Sequence, residues 1–243
     1  MKDNLQDLIK YTHGLGVIDL IKITGTDKET KINALSDDRT VVVEGVMHNP
    51  VAEFIGTFGM PNLNKLQTIL SFDDYDDKAK INVTSRTKDG ESIPEAIHFE
   101  TKAGDFVNDY RLMAKAIVEE KVQNVKFKTP TWNISFEPTI AGIQRLKKQA
   151  QANSEEAHFV TKTDGNDLKI YFGDHSTHSG NFVFQAGVNG ALSRAWKWPV
   201  KVFLSIMDLA GTKEVKFSDA GACEITVDSG IAVYRYILPG QGK

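Results

Sequence analysis

Two histidines three positions apart, in Asp174-His175-Ser176-Thr177-His178, are the nearest this sequence comes to metal chemistry. A transition-metal site needs a third or fourth donor and a fixed geometry. The stretch lies between two strand-like runs and is flanked by Gly173 and Gly180, so it reads as an exposed loop. Asp73-Asp74-Tyr75-Asp76-Asp77 has the acid density of a calcium loop without its spaced oxygens or terminal Glu, and reads as a solvated acidic turn. The phosphate-cradling GxxxxGK(S/T), the nucleophile GxSxG and the zinc HExxH patterns are absent. His13, His48, His98, His158, His175 and His178 are scattered, and Cys223 reads as a small core residue in a strand. No base, nucleophile and anion hole assemble. The expectation is a binding or scaffolding protein, not an enzyme, with no metal or cofactor.

A different chemistry is carried by TIAGIQRLKKQAQANSE, from Thr139 to Glu155. Pro138 and Thr139 start a predicted helix. With Ile140 as zero, Ile143, Leu146 and Ala150 fall in an arc between about 240° and 360°, and Lys148 and Arg145 near about 80° and 140°. Lys147 falls at the flank of the apolar arc and has to extend outward past it. The outward face carries positive charge and amides, and no acid before Glu155. Such a face is either merely solvated or suited to a phosphate backbone, where charge sets affinity and no base is read. The other predicted helices each add a basic residue on their polar side. Lys10 and His13 do so on the first, diluted by Asp3 and Asp7. Lys65, with Asn64 and Thr68, does so on the second, and Lys201, with Ser205, on the fourth.

These side chains need elements to hold them. Four helices are predicted: roughly Asp3 to Leu15, Asn62 to Ser71, the stretch from Thr139, and Trp198 to Ala210. Most of the remainder alternates or is rich in β-branched residues, as in VIDLIKITG, TKINAL, TVVVEGV, AEFIGTF, HFVTKT, LKIYFG, CEITV and IAVYRYIL. Asp89-Gly90, Asp164-Gly165, Asp219-Ala220-Gly221 and Asp228-Ser229-Gly230 mark turns. The order repeats. The first and third helices start 136 residues apart (139 − 3), and so do the second and fourth (198 − 62). A constant offset with weak residue identity predicts two similarly built domains, 1–120 and 130–243, joined near Glu119 to Pro130.

The bulk numbers agree with two such domains. The chain has 243 residues, 41% of them apolar and 25% charged, an ordinary globular composition. A net charge of -3 argues against coating nucleic acid over the whole surface, but leaves room for one basic face. One cysteine excludes an internal disulfide. No signal-like N-terminus and no apolar run of membrane-spanning length is present, so a cytoplasmic protein with no membrane partner is expected.

LQDLIKYTHGLG followed by a long strand, AEFIGTFGMPNLNKLQTILSF, and the final VKFSDAGACEITVDSGIAVYRYIL give the chain a likeness along essentially its whole length. It resembles the DNA sliding clamps, the DNA polymerase processivity factors, in particular those of tailed bacteriophages. The resemblance implies an α+β fold of two tandem β-rich clamp domains, each with two helices, closed as a homotrimer into a six-domain ring. It implies double-stranded DNA in the ring, a tethered DNA polymerase and an ATP-dependent clamp loader as partners, in the cytoplasm of an infected host cell if the protein is viral. Carried onto this sequence, DNA contact falls to Lys10, Lys65, Arg145, Lys147, Lys148 and Lys201. A pocket for partner peptides, near the interdomain connector, falls to Leu238 and Pro239. The helix faces are less basic than DNA would favour, and DYRLMAKAIVEEKV in the joining region reads as either helix or strand.

Two other readings stand beside this one. A β-rich phage structural or assembly protein would share the strands and need no DNA-encircling role. An enzyme with dispersed groups would use His175 and His178.

Overall fold

Alternating apolar residues become antiparallel sheet in the computed structural model of this chain, which describes residues 1–88, 91–123, 128–174 and 178–242, with the side chains of 88 and 91 also left aside. The chain divides into two compact units, Met1–Val125 with Ser229–Tyr234, and Lys126–Asp228 with Arg235–Lys243.

The first unit runs α1 (Lys2–Tyr11), a 3-10 turn (His13–Leu15), β1 (Leu20–Gly25), β2 (Thr30–Leu35), β3 (Val42–Met47), β4 (Gly56–Pro61), α2 (Leu63–Leu70), β5 (Lys80–Lys88), β6 (Glu91–Glu100), β7 (Val107–Arg111) and α3 (Lys115–Lys121). One sheet has the order β4-β1-β2-β3, and the far edge of β3 is taken by the chain's last strand, β15 (Ala232–Pro239), whose first three residues cluster with this unit. The order β5-β6-β7 forms a second sheet. Period-two alternation turns Ile21, Ile23, Ile32, Val43, Phe58 and Met60 inward. Leu5, Leu8 and Ile9 of α1 and Leu63, Leu66 and Ile69 of α2, at helical spacing, are buried as well. Gly16, at φ 76°, supplies the left-handed residue that ends the first helical stretch.

The second unit runs β8 (Ile134–Phe136), α4 (Ile140–Ala152), β9 (His158–Asp164), β10 (Asp167–Phe172), β11 (Gly180–Gln185), β12 (Lys197–Pro199), α5 (Val200–Asp208), β13 (Thr212–Ser218) and β14 (Ala222–Asp228), then the Arg235–Pro239 part of β15. Its sheets have the orders β11-β10-β9-β12 and β15-β14-β13-β8. Rings fill the core: Phe159, Phe172, Phe184, Phe203, Phe217 and Trp198 stack or meet edge to face with centroids 5.0 to 6.3 Å apart. Cys223 lies fully buried in β14, and burial pushes its thiol pKa up.

The two units repeat one another strand for strand. Helix, four strands, helix and three-stranded meander appear in both, and β4-β1-β2-β3 matches β12-β9-β10-β11 in order. Lys2 and Ile140 open the first helices, 138 residues apart (140 − 2). The cross-strand pairs Leu20 with Pro61 and His158 with Pro199 keep the same offset on both strands.

Several sequence expectations shift. The second unit has its two expected helices, α4 and α5, but the first has a third, α3, from the ambiguous DYRLMAKAIVEEKV, which splits into β7 and a helix. Trp198 belongs to β12, and α5 starts only after Pro199. Ile140, placed in the apolar arc, is 81% exposed. The buried side of α4 is centred on Gly142 and Leu146, with Asn153 behind them. Gly142 gives the reason, because a Cβ there would stand 2.4 Å from Phe184 O. The helix leans on β11 through bare backbone, which a hydrophobicity pattern does not register. The Asp89-Gly90 turn and His175-Ser176-Thr177 lie outside the described residues, as does part of the joining region.

Candidate nucleic-acid interface

Five of the six basic residues expected at DNA have exposed side chains. Lys10 on α1 and Lys65 on α2 are exposed in the first unit, and Arg145 and Lys148 on α4 and Lys201 on α5 in the second. The apolar spacing of each helix turns these positions away from its sheet. Lys10 Nζ rests 5.6 Å from the centre of the Tyr11 ring, a cation–π contact that leaves the charge in solvent.

Lys147 departs from the expectation. Its Nζ stands 2.5 Å from Asp208 Oδ1, so α4 and α5 are joined by an ion pair and this charge is neutralised locally. Lys147, Ala150, Val200, Lys201, Leu204 and Asp208 border a groove of about 540 Å³ between the two helices.

The acids expected to dilute α1 are also placed differently. Asp3 is exposed, but Asp7 is buried and accepts hydrogen bonds from Ser229 Oγ and the Tyr234 hydroxyl. The outward face of α1 is therefore more positive than the sequence indicated. His13 is not fully outward either, since its Nδ1 meets Ile18 O at 2.8 Å. The helical wheel places Asp7 on the polar side and gives no signal for its burial, because its partners lie more than two hundred residues away.

Leu238 is fully buried inside β15, so its side chain has no surface to offer a peptide, and Pro239 alone is exposed. A cleft does lie in the first unit, where α3 ends. Asn33, Leu35, Val42, Glu44, Val122 and Gln123 border about 180 Å³ there. Lys22, buried in β1, donates from Nζ to Val122 O at 3.2 Å and fixes that end of α3. Burial lowers the pKa of this lysine while nearby Glu119 acts against the lowering. Val118 of the same helix packs on Gly59, where a Cβ would come within 2.8 Å of it.

Among the described residues, no group of three or more His, Cys, Asp or Glu side chains could hold a metal ion. The acidic turn is organised around Tyr75, which is fully buried and accepts a hydrogen bond from Asn108 Nδ2 at 2.7 Å.

No protein-family model matches the chain, and no curated protein matches it in sequence. Solved structures do match. A. fulgidus PCNA, in a structure with the C-terminal region of FEN-1 bound, aligns with a TM-score of 0.69 at 12% identity, over 98% of this chain and 96% of that one. The chain has the fold of the PCNA sliding clamps. PCNA from Thermococcus kodakaraensis aligns with a TM-score of 0.65, also at 12% identity, over 99% and 97% of the two chains. At that identity the likeness is one of fold. The clamp fold gives the repeat its sense, because its two units match the two halves found here over nearly the full length.

Proposed function

We propose that this protein is a DNA sliding clamp, three copies of which close head to tail around duplex DNA and hold a replicative polymerase to its template. The observation that carries the ring is an asymmetry in the repeat. In the first unit β3 has β15 along its far edge. Its counterpart β11 ends its sheet, and β7, the counterpart of β15, ends another. Pairing β11 of one copy with β7 of the next repeats the β3–β15 pairing between chains. It also removes two edges that would otherwise template aggregation. A head-to-tail contact of this kind closes into a ring when the rotation fits. Six units, two from each of three chains, are the count that the clamp likeness suggests.

In this reading Lys10, Lys65, Arg145, Lys148 and Lys201 meet the phosphate backbone and read no sequence. Weak, exchangeable phosphate contacts permit sliding, and closure prevents escape. The polymerase gains a high effective concentration at the primer without tight DNA binding by the clamp. Loading falls to a separate ATP-driven loader. The cleft beside α3 is the place we assign to a partner's terminal peptide, in keeping with the FEN-1 segment bound to the A. fulgidus protein.

Light scattering after size exclusion tests the ring. A species at three times 26.9 kDa is expected across a concentration series. A chain that stays at 26.9 kDa throughout removes the encircling mechanism and leaves the β-rich structural or assembly protein as the better reading.

A further inference from the structure

Asp7 and Tyr11, one turn apart on α1, are buried in the first unit, where Ser229 Oγ and the Tyr234 hydroxyl donate to Asp7 and the Tyr234 ring stacks on Tyr11. The offset of 138 residues between the first helices of the two units carries Asp7 onto Arg145 and Tyr11 onto Gln149 of α4. Leu8 and Leu146, matched by the same offset, are both fully buried, so the two helices present the same side to their sheets. Arg145 is nevertheless exposed, and Gln149 only half-buried.

A turn able to cover them is present in the chain, between β6 and β7. Two hydrogen bonds fix its correspondence with the turn before β15. Thr101 N donates to Phe106 O as Ser229 N does to Ala232 O, and Phe106 N donates to Thr101 Oγ1 as Ala232 N does to Ser229 Oγ. Thr101 therefore stands for Ser229. Its hydroxyl donates to Asp105 Oδ1 at 2.7 Å, whereas the Ser229 hydroxyl donates to Asp7 on the helix. The carboxylate beside the hydroxyl thus comes from the helix in one case and from the turn in the other. A helix residue arriving at the second turn meets that carboxylate, and Arg145 has the charge to pair with it. Phe106, 38% exposed, adds an aromatic face on which a guanidinium can lie. Its ring stacks on Tyr75 of the acidic turn. Lys78 and Lys102 lie at this end of the unit as well, but Asp73, Asp74, Asp76, Asp77 and Asp105 outnumber them, and α4 carries no acid.

We propose that Arg145 is a subunit-junction residue: α4 of one copy seats on the β6–β7 turn of the next, with the Arg145 guanidinium paired to Asp105 and lying on Phe106. The inference rests on the ring reading, because α4 leans on β11 and the turn leads into β7, the two strands paired between copies there. It gives Arg145 the neighbouring subunit in place of phosphate.

Sedimentation equilibrium of the full chain, without DNA and at low salt, tests this. Wild type should form the trimer. Arg145→Asp and Asp105→Arg should each raise the concentration at which trimer gives way to single chains about tenfold or more, and the two changes together in one chain should restore it. Lys28→Asp, an equal change of charge in the turn between β1 and β2, should leave it where it is. A bismaleimide added to the chain carrying Arg145→Cys and Asp105→Cys should join copies into dimers and trimers, with Cys223 buried out of reach. Trimers unaltered by either single charge change would overturn the proposal and return Arg145 to DNA. Weakening that the exchanged pair does not repair would overturn it too, as would cross-links confined to single chains. Wild type that stays at one chain overturns the ring reading, and this inference with it.

Discussion

The Tyr234 hydroxyl donates to Asp7 Oδ2 at 2.8 Å, across 227 positions of sequence. Ser229 Oγ donates to the same oxygen at 3.1 Å, and the Tyr234 ring lies flat on Tyr11, centroids 5.0 Å apart and planes within 8°. A buried carboxylate thus ties α1 to the turn and strand that complete the first unit. A helix that presents basic residues on its other side needs such an anchor, because its outward residues contribute little to packing.

Tyr234→Phe should therefore lower stability by about 1.5–3 kcal/mol, the usual worth of a hydrogen bond to a charged group. Asp7→Ala should cost more, because it leaves two donors without that acceptor, while Asp3→Ala should change stability by less than about 0.5 kcal/mol. Urea unfolding of the three variants checks the order. Equal effects of Asp3→Ala and Asp7→Ala would return Asp7 to the solvated face.

Some of this was legible in the sequence, and the misses share a cause. The constant offset between Asp3 and Thr139, and between Asn62 and Trp198, exposed the repeated architecture, because helix starts and β-alternation are local signals. Asp7 and Lys147 were misread because their roles depend on distant partners, namely Tyr234 and Asp208, and Ile140 because α4 leans on Phe184 through Gly142 instead. Periodicity marks which side of a helix is apolar, not what that side meets. The helix α3 was ambiguous since its seven residues carry little periodic signal, and it is held by Gly59 and Lys22 far away in sequence. Lys162 and Lys169 alternate openly within HFVTKT and LKIYFG, but only the strand register places them opposite each other.

Arg145→Glu and Lys148→Glu should each weaken retention on circular duplex DNA and lower processivity in loader-dependent primer extension. Lys147→Ala should have a smaller effect, since Asp208 already neutralises that charge. Stability should change by no more than about 1 kcal/mol in Lys147→Ala, because the pair is substantially exposed. Raising salt should narrow the gap between wild type and the charge-reversed variants. Variants that load and run like wild type at low salt would remove these residues from the DNA reading.

Gly142→Ala should destabilise the second unit by about 1–3 kcal/mol, despite alanine's better helix propensity. The new methyl would sit 2.4 Å from Phe184 O, so α4 must move off β11 or stay strained. Gly165→Ala is a useful contrast. No atom lies within 4 Å of a Cβ there, and any cost comes from its φ of 59°. Thermal unfolding followed by Trp fluorescence checks both. A neutral Gly142→Ala would mean that α4 and β11 have more room than this packing shows.

Protonation of His98 should stabilise the β5-β6-β7 sheet. Its Nδ1 is 2.9 Å from Asp109 Oδ1 on β7, and its Nε2 is 3.2 Å from Glu100 Oε2. The Asp109 hydrogen bond first, then Glu100, raise the imidazole pKa above its usual 6.5, against a lowering by burial. A raised folded-state pKa means that the contribution is fully present below about 6.5 and is lost as pH rises through the higher folded value. Glu100 is held below its usual range, chiefly by the hydrogen bond from His98, and so stays ionised across this window. Denaturant unfolding between about pH 5.5 and 8.5 should show wild type losing its advantage over His98→Gln as pH rises. Amide exchange on Val107–Arg111 should quicken in wild type over the same interval, since Asp109 lies on that strand. A stability difference that stays constant, or grows with pH, would mean that His98 is held neutral between the two carboxylates.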